Sequence, residues 1–255
     1  MHFLWYVKLN GRFLCLTERK VIPLTQLSIE HVTTILDHKE LIKDISFTVQ
    51  KGEIVALVGH NGAGKSTLMK TIMRMLEKRK GSIRIMQKFD QDEQFLLFKK
   101  YISYLPEEPM LLTELTVMQH FQLYGMSYEI EEETFKKRLD RYIKGFELTT
   151  KLKSYPEELS KGMRQKVQTI CALLPNVPVL LIDEPFMGLD IYAVEFLLEV
   201  VKEKVAQGTS ILLTTHQLDQ LQTLADRFVL LQDGQVKAEG PIEQFETITR
   251  GFTDD

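Results

Sequence analysis

The chain has 255 residues, of which 44% are hydrophobic and 26% charged, the composition of a globular protein of one domain or a domain with a subdomain. Its net charge of −3 argues against a nucleic-acid-binding surface, which normally shows a strong basic excess. Cys15 and Cys171 lie far apart and outside any C-x-x-C motif, which indicates neither a zinc site nor a disulfide framework and favours a reducing compartment. No apolar run approaches the roughly 20 residues that span a bilayer.

Residues 1–22 are predicted to be an N-terminal extension. Two apolar runs flank Asn10-Gly11, a pair typical of a tight β-hairpin. Lys8 and Arg12 interrupt these runs and no basic segment precedes them, so the pattern is not that of a signal peptide. We expect no catalytic role for this segment.

The next part of the chain has the pattern of a β-rich segment, with strands over residues 24–35, 44–49, 54–58 and 81–86. The strand over 54–58 leads directly into a glycine-rich loop, and the residues after that loop are typical of a helix. The sequence therefore predicts one strand–loop–helix unit within this segment.

The glycine-rich loop fits the phosphate-binding pattern G-x-x-x-x-G-K-[ST] in the context that the pattern requires. Glycines let consecutive backbone N–H groups surround phosphate oxygens, and a helix that begins near Lys65 directs its positive end at the same anion. Lys65 adds a charge at the β/γ oxygens, and the Ser66 hydroxyl is placed to ligate Mg²⁺. The alternative is a chance glycine-rich turn. The predicted nucleotide-binding residues are Gly59, His60, Asn61, Gly62, Ala63, Gly64, Lys65, Ser66 and Thr67.

Residues from about 91 to 173 are predicted to be mostly helical, with apolar stripes that we interpret as core. Strands then alternate with helices, and two final strands flank Asp233-Gly234 as a hairpin. Such alternation predicts a parallel sheet covered by helices. Ligands of these sheets bind beyond the carboxyl ends of the strands, where Gly59, Asp183 and His216 fall.

Asp183 and Glu184 end an apolar strand, so this acid pair is predicted to face the nucleotide. Asp183 is placed to hold Mg²⁺, directly or through water, and Glu184 to polarise an attacking water. The alternative is that the two acids only cap a strand before Pro185.

Five motifs in one order resemble those of an ATP-binding cassette (ABC) ATPase. They are the phosphate loop (Walker A), residues 159–163 before a helix (signature), the Asp183-Glu184 strand (Walker B), Gly188-Leu189-Asp190 (D-loop) and His216 (switch histidine). The resemblance covers roughly residues 24–245. It implies an α/β P-loop NTPase fold with a mainly parallel core sheet, an antiparallel β subdomain and a helical insertion of about 91–173. The ATPase domain would span 23–250, followed by a tail at 251–255.

In that family two cassettes enclose two ATP molecules head to tail. The resemblance implies that Ser160 and Gly162 contact the γ-phosphate held by the other subunit, that His216 contacts the γ-phosphate and orients the water, and that Asp190 bridges the subunits. The residues themselves leave simpler alternatives: Ser160 caps only its own helix, and His216 is a surface or capping residue.

The chain departs from the family pattern at three places. Lys161 and Met163 replace a glycine and a glutamine of the signature, and Lys161 adds positive charge near a phosphate. Glu107 stands at the Q-loop glutamine, where a carboxylate can still ligate Mg²⁺. The aromatic residue that stacks on adenine aligns near Leu36, with His38 the nearest ring, so stacking should be weak and we expect poor discrimination between ATP and GTP.

The resemblance implies an ATP-binding and ATP-hydrolysing subunit, with Mg²⁺ as cofactor, that powers transport through a separate transmembrane permease. Lys161 and the loop over 106–109 are similar to those of bacterial export-type cassettes. Expected partners are the permease and a second ATPase subunit, identical or related, at the cytoplasmic face of the membrane; no nucleic acid is expected. The alternative is a soluble ABC ATPase that acts on nucleic acid or in protein assembly. A regulator without turnover is disfavoured because Lys65, Asp183, Glu184 and His216 are all present.

Overall fold

The computed structural model describes residues 6–9, 12–15, 24–215 and 218–250. The strands are β1 (Tyr6–Leu9), β2 (Arg12–Cys15), β3 (Thr25–Leu36), β4 (Lys39–Gln50), β5 (Ile54–Val58), β6 (Lys78–Ile85), β7 (Phe89–Asp90), β8 (Ile102–Leu105), β9 (Val179–Asp183), β10 (Ser210–Thr214), β11 (Arg227–Gln232) and β12 (Gln235–Pro241). The α-helices are α1 (Lys65–Ile72), α2 (Phe95–Lys100), α3 (Val117–Ser127), α4 (Glu132–Gly145), α5 (Lys161–Leu173), α6 (Ile191–Ala206), α7 (Leu218–Leu224) and α8 (Phe245–Arg250). Short 3-10 turns occupy Thr149–Lys151, Pro156–Glu158 and Ile242–Gln244.

The core sheet has the strand order β12-β11-β5-β10-β9-β8. Neighbouring strands from β11 to β8 run parallel, and β12 pairs antiparallel with β11. The predicted mainly parallel sheet is therefore confirmed. Its register places Thr214 opposite Asp183, so the carboxyl ends of β9 and β10 meet at one edge.

Two hydrophobic cores lie on opposite faces of this sheet, and β5 shows how one strand serves both. Ile54, Ala56 and Val58 pack into the core that contains α3, α4, α5 and α6, whereas Val55 and Leu57 pack into the core that contains α1 and the antiparallel sheet. This alternation follows from side chains that point to opposite faces along a strand. Covering both faces leaves the strand ends as the accessible edge.

The second sheet is antiparallel, with the order β4-β3-β6-β7, as predicted for the β subdomain. Its β3–β4 hairpin is longer than the sequence predicted. Asp37 and His38 form the turn with φ values of 49° and 63°, which continues the pairing to Leu36 and Lys39. A tight turn with positive φ at both central residues matches the twist of the strands, so pairing extends to the turn itself.

The segment predicted to be mostly helical also contains β8, a strand of the core sheet that pairs parallel with β9. All four residues of β8 are buried. A short buried strand has no apolar alternation, so sequence periodicity does not separate it from a buried helical turn. The predicted helical stripes do supply core residues, including Tyr142, Phe146, Val167 and Ile170.

At the N-terminus, β1 and β2 pair antiparallel, with Tyr6 opposite Cys15. The domain boundaries predicted from the sequence, 1–22, 23–250 and 251–255, stay predictions. The C-terminal tail at 251–255 lies outside the described residues. Among the helices of the described part of the chain, none has the length and hydrophobicity needed to cross a membrane.

Candidate active site

The phosphate loop connects β5 to α1 at the carboxyl edge of the core sheet. Two of its glycines are required by geometry. A Cβ atom on Gly59 would lie 2.3 Å from the carbonyl oxygen of Leu231, and Gly64 precedes α1 with a φ of 107°. L side chains rarely adopt that conformation, so the loop takes its path only with glycine at these positions.

Lys65, the first residue of α1, is folded over the loop. Its Nζ atom donates hydrogen bonds to the carbonyl oxygens of Gly59 at 2.7 Å and His60 at 3.3 Å. Burial lowers the pKa of the Lys65 ammonium, while the nearby carboxylates Glu184, Asp183 and Glu107 act to raise it. The ammonium therefore lies between the loop carbonyls and an acidic cluster, at the place predicted for the β/γ phosphates.

A pocket of about 340 Å³ opens above the loop. It is lined by loop residues 61, 62 and 64–67 and by two acidic residues from other parts of the chain, Glu107 and Glu184. The tertiary structure thus brings together the phosphate loop, Glu107 and Glu184, which were predicted separately from the sequence. Ser66 and Thr67 contribute hydroxyl groups, so the pocket combines anion donors with carboxylate ligands.

The acid pair is held by residues that sequence analysis did not identify. Asp183 is 1% exposed; its Oδ1 accepts a hydrogen bond from the Thr214 hydroxyl at 2.6 Å, and its Oδ2 accepts one from the Tyr104 hydroxyl at 3.4 Å. Burial, and then Asp183, raise the pKa of Tyr104. The Glu184 N–H donates to the Thr214 hydroxyl at 3.0 Å. Thr214 ends the predicted strand β10, which was an available signal, whereas Tyr104 lies in β8, a strand that the sequence did not predict.

The signature segment begins α5. Ser160 caps this helix because its Oγ accepts a hydrogen bond from the Met163 N–H at 3.2 Å. Lys161 forms an exposed ion pair with Glu108, 2.9 Å apart, which links the signature to the residue after Glu107. Gly162 packs so closely on the D-loop that a Cβ atom would lie 2.5 Å from the carbonyl oxygen of Gly188.

Asp190 caps α6 by accepting the Ala193 N–H at 2.9 Å, and it also pairs with Lys166 of α5 at 2.6 Å. The hydrogen bond from Lys166 is the main reason why the pKa of Asp190 is lowered. No motif of the sequence contains Lys166, so its role was not predicted. Within this chain Asp190 therefore connects the D-loop to the signature helix, and its predicted contact with a second subunit stays a prediction.

Several of the predicted site residues that the structure describes do not line the pocket. Of the described residues that line it, none comes from the signature segment 159–163. Gly59, His60 and Ala63 also lie outside the lining, although all three belong to the loop, and so does the buried Asp183. His216 falls between β10 and α7, outside the described residues. The signature thus stands on the same chain as the phosphate loop without contributing to its pocket.

A phosphate loop after a buried parallel strand, with carboxylates at the end of a nearby strand, defines this chain as a P-loop nucleoside triphosphatase. Comparison with known proteins narrows the class. The family model described as ABC transporter matches residues 42–187. The chain belongs to this family and is an ATP-binding, ATP-hydrolysing subunit of the ABC transporter class.

Individual relatives agree with the assignment. EcsA, an ABC-type transporter ATP-binding protein of Bacillus subtilis (strain 168), is 39% identical over 219 residues, 86% of this chain and 88% of EcsA. The SkfA peptide export ATP-binding protein SkfE of the same organism is 32% identical over 205 residues, 80% of this chain and 84% of SkfE. A solved structure of an ATP-binding subunit of an ABC transporter is 39% identical, has a TM-score of 0.83, and the match covers 90% of this chain and 94% of that one.

Proposed function

We propose that this chain powers export through a separate transmembrane permease, as a peripheral subunit at the cytoplasmic face of the membrane. The observation that carries its part in hydrolysis is the pocket that unites the phosphate loop with Glu107 and Glu184, next to the buried Asp183. The direction of transport rests on the likeness to a peptide export protein and on Lys161 and the loop over 106–109.

The residues present suit Mg²⁺. Asp183, Glu107 and the Ser66 hydroxyl offer only oxygen ligands, which Mg²⁺ prefers. Among the described residues no three acids or histidines are close enough to hold a metal by themselves. This agrees with the usual Mg²⁺ site in such enzymes, in which one or two protein ligands act together with substrate phosphates. When bound there, the ion would neutralise charge that develops on the phosphate oxygens.

In the proposed mechanism Lys65 and the loop N–H groups bind the phosphates, and Glu184 accepts a proton from the attacking water. His216 would orient that water. A second ATPase subunit, identical or related, would supply Ser160, Lys161 and Gly162 to complete the site, and hydrolysis would let the subunits separate. Closure is then a population shift, because ATP binds the closed pair better than the open one.

We place the permease on a groove of about 560 Å³ beside α2 and α3. Leu96, 80% exposed, lies at its edge, and Tyr124 and Tyr128 form part of its wall. Lys99 adds positive charge, whereas the charge of Lys100 is paired with Glu129 at 2.7 Å. An apolar groove with a basic residue at its edge is complementary to an amphipathic permease segment that carries an acidic side chain.

Affinity purification tests this function. We expect tagged Glu184→Gln protein, taken from gently solubilised source-cell membranes with ATP and Mg²⁺, to retain a stoichiometric multispanning protein. Adding Leu96→Asp should reduce its recovery about tenfold, because a charge in a desolvated contact costs at least 1.4 kcal/mol. The matched control is Met86→Asp, which places the same charge at an exposed apolar residue of the β subdomain. Recovery of ribosomal, nucleic-acid or soluble assembly proteins alone would favour the alternative function.

The protein should discriminate only weakly between the bases of ATP and GTP. Leu36 ends β3, is 46% exposed and offers no aromatic ring for stacking. We expect kcat/KM values for ATP and GTP within about threefold of each other, and about tenfold tighter ATP binding for Leu36→Tyr, because base–aromatic stacking contributes about 1–3 kcal/mol. Steady-state kinetics with both nucleotides measures this. A strong preference of the unsubstituted protein for ATP would contradict it.

A further inference from the structure

We propose that Thr214 is a positioning residue for ATP hydrolysis, because its single hydroxyl group holds both the Asp183 carboxylate and the Glu184 backbone. The inference rests on the proposed roles of these two acids and adds a residue that the motifs do not contain. Thr214 is the last residue of β10, is fully buried, and lies opposite Asp183 in the sheet.

The hydrogen-bond directions are determined by chemistry. An ionised carboxylate only accepts and a backbone N–H only donates. The Thr214 hydroxyl therefore donates its proton to Asp183 Oδ1, 2.6 Å away, and accepts the Glu184 N–H at 3.0 Å. A hydroxyl has one proton to give, so these two contacts fix its orientation. Only serine or threonine at this position provides both.

Glu184 needs this support because its backbone is strained. Its φ is 48°, in the left-handed region that residues other than glycine rarely occupy. Besides the hydroxyl, the Thr214 carbonyl oxygen accepts the same N–H at 3.2 Å. Two acceptors from one residue thus stabilise the conformation that turns the chain after β9 and brings Glu184 to the pocket wall.

Removing the hydroxyl should affect both acids at once. Thr214→Val keeps nearly the same shape, but Asp183 Oδ1 loses its donor at 2.6 Å and the Glu184 N–H is left with the carbonyl oxygen. The Asp183 carboxylate then has more freedom to rotate, which weakens it as a metal ligand. Substitution of a residue that hydrogen-bonds to a metal ligand typically lowers metal affinity by about tenfold or more.

The test uses the full chain and three variants. Thr214→Val removes the hydroxyl, Thr214→Ser keeps it, and Thr209→Val is the control. Thr209 is also buried and its hydroxyl donates to the Val177 carbonyl oxygen at 3.1 Å, away from the acids. The first readout is the Mg²⁺ concentration at half-maximal binding of a fluorescent non-hydrolysable ATP analogue. The second is kcat and KM for ATP at saturating Mg²⁺.

We expect Thr214→Val to raise the Mg²⁺ midpoint about tenfold and to lower kcat about tenfold, with a smaller change in KM. Thr214→Ser should stay within about threefold of the unsubstituted protein, and Thr209→Val should match it. If Thr214→Val behaves like Thr209→Val, or Thr214→Ser fails to restore both values, the inference is wrong.

If the proposed Mg²⁺ site is wrong, the experiment gives a result that differs from failure of the Thr214 inference. The unsubstituted chain would then bind the analogue equally with and without Mg²⁺, and the kcat comparison would still test how Thr214 supports Glu184. Thermal unfolding of each variant shows whether the fold is intact. If Thr214→Val does not fold, Thr214→Ala compared with Thr214→Ser asks the same question.

Discussion

Glu184→Gln is expected to lower kcat for ATP by about 1,000-fold while ATP still binds, because the amide fills the same space but accepts a proton poorly. Glu184 lines the phosphate pocket and is 6% exposed, so no bulk-water base replaces it easily. With hydrolysis blocked, a closed pair of subunits should accumulate. Single-turnover hydrolysis and size-exclusion chromatography with ATP and Mg²⁺ measure the two effects.

Glu133→Gln is the matched control, since it makes the same chemical change on an exposed residue in the first turn of α4. We expect its turnover to equal that of the unsubstituted protein. Robust ATP turnover by Glu184→Gln would exclude Glu184 as the general base. Slow turnover without an ATP-dependent dimer would instead contradict the proposed closure of two subunits.

Lys65→Ala should weaken ATP binding about 100-fold, since a charge-assisted contact with phosphate in a partly enclosed site contributes up to about 3 kcal/mol. In the structure its ammonium is held by the Gly59 and His60 carbonyl oxygens at the edge of the pocket. Titration of the protein with a fluorescent ATP analogue measures the affinity. Lys70→Ala, on the exposed side of the same helix, should bind with unchanged affinity.

A loss of stability does not explain this expected result. Burial lowers the pKa of Lys65, which means that the folded protein holds the charged form at a cost. Alanine removes that cost together with the hydrogen bonds to the Gly59 and His60 carbonyl oxygens. Because these two changes oppose each other, the unfolding temperature should change little while nucleotide affinity falls. Unchanged affinity in Lys65→Ala would contradict the assignment of the phosphate loop.

The sequence by itself determined the class of fold and the family. The phosphate loop is nine consecutive residues between a strand and a helix, and the acid pair is two residues at the end of one strand, so each is a local pattern. The alternation of strands and helices after residue 179 was sufficient to predict the parallel sheet, which the structure confirms. Local backbone preferences and the order of the motifs carry this information without any long-range contact.

Only the tertiary structure decided which residues support the acids and how the signature is attached. Thr214 meets Asp183 across 31 residues, Tyr104 meets it across 79, and Lys161 meets Glu108 across 53. These contacts depend on the register of β8, β9 and β10, and on where α5 packs. Sheet register and helix packing result from burial of the whole core. A local sequence pattern therefore does not predict them.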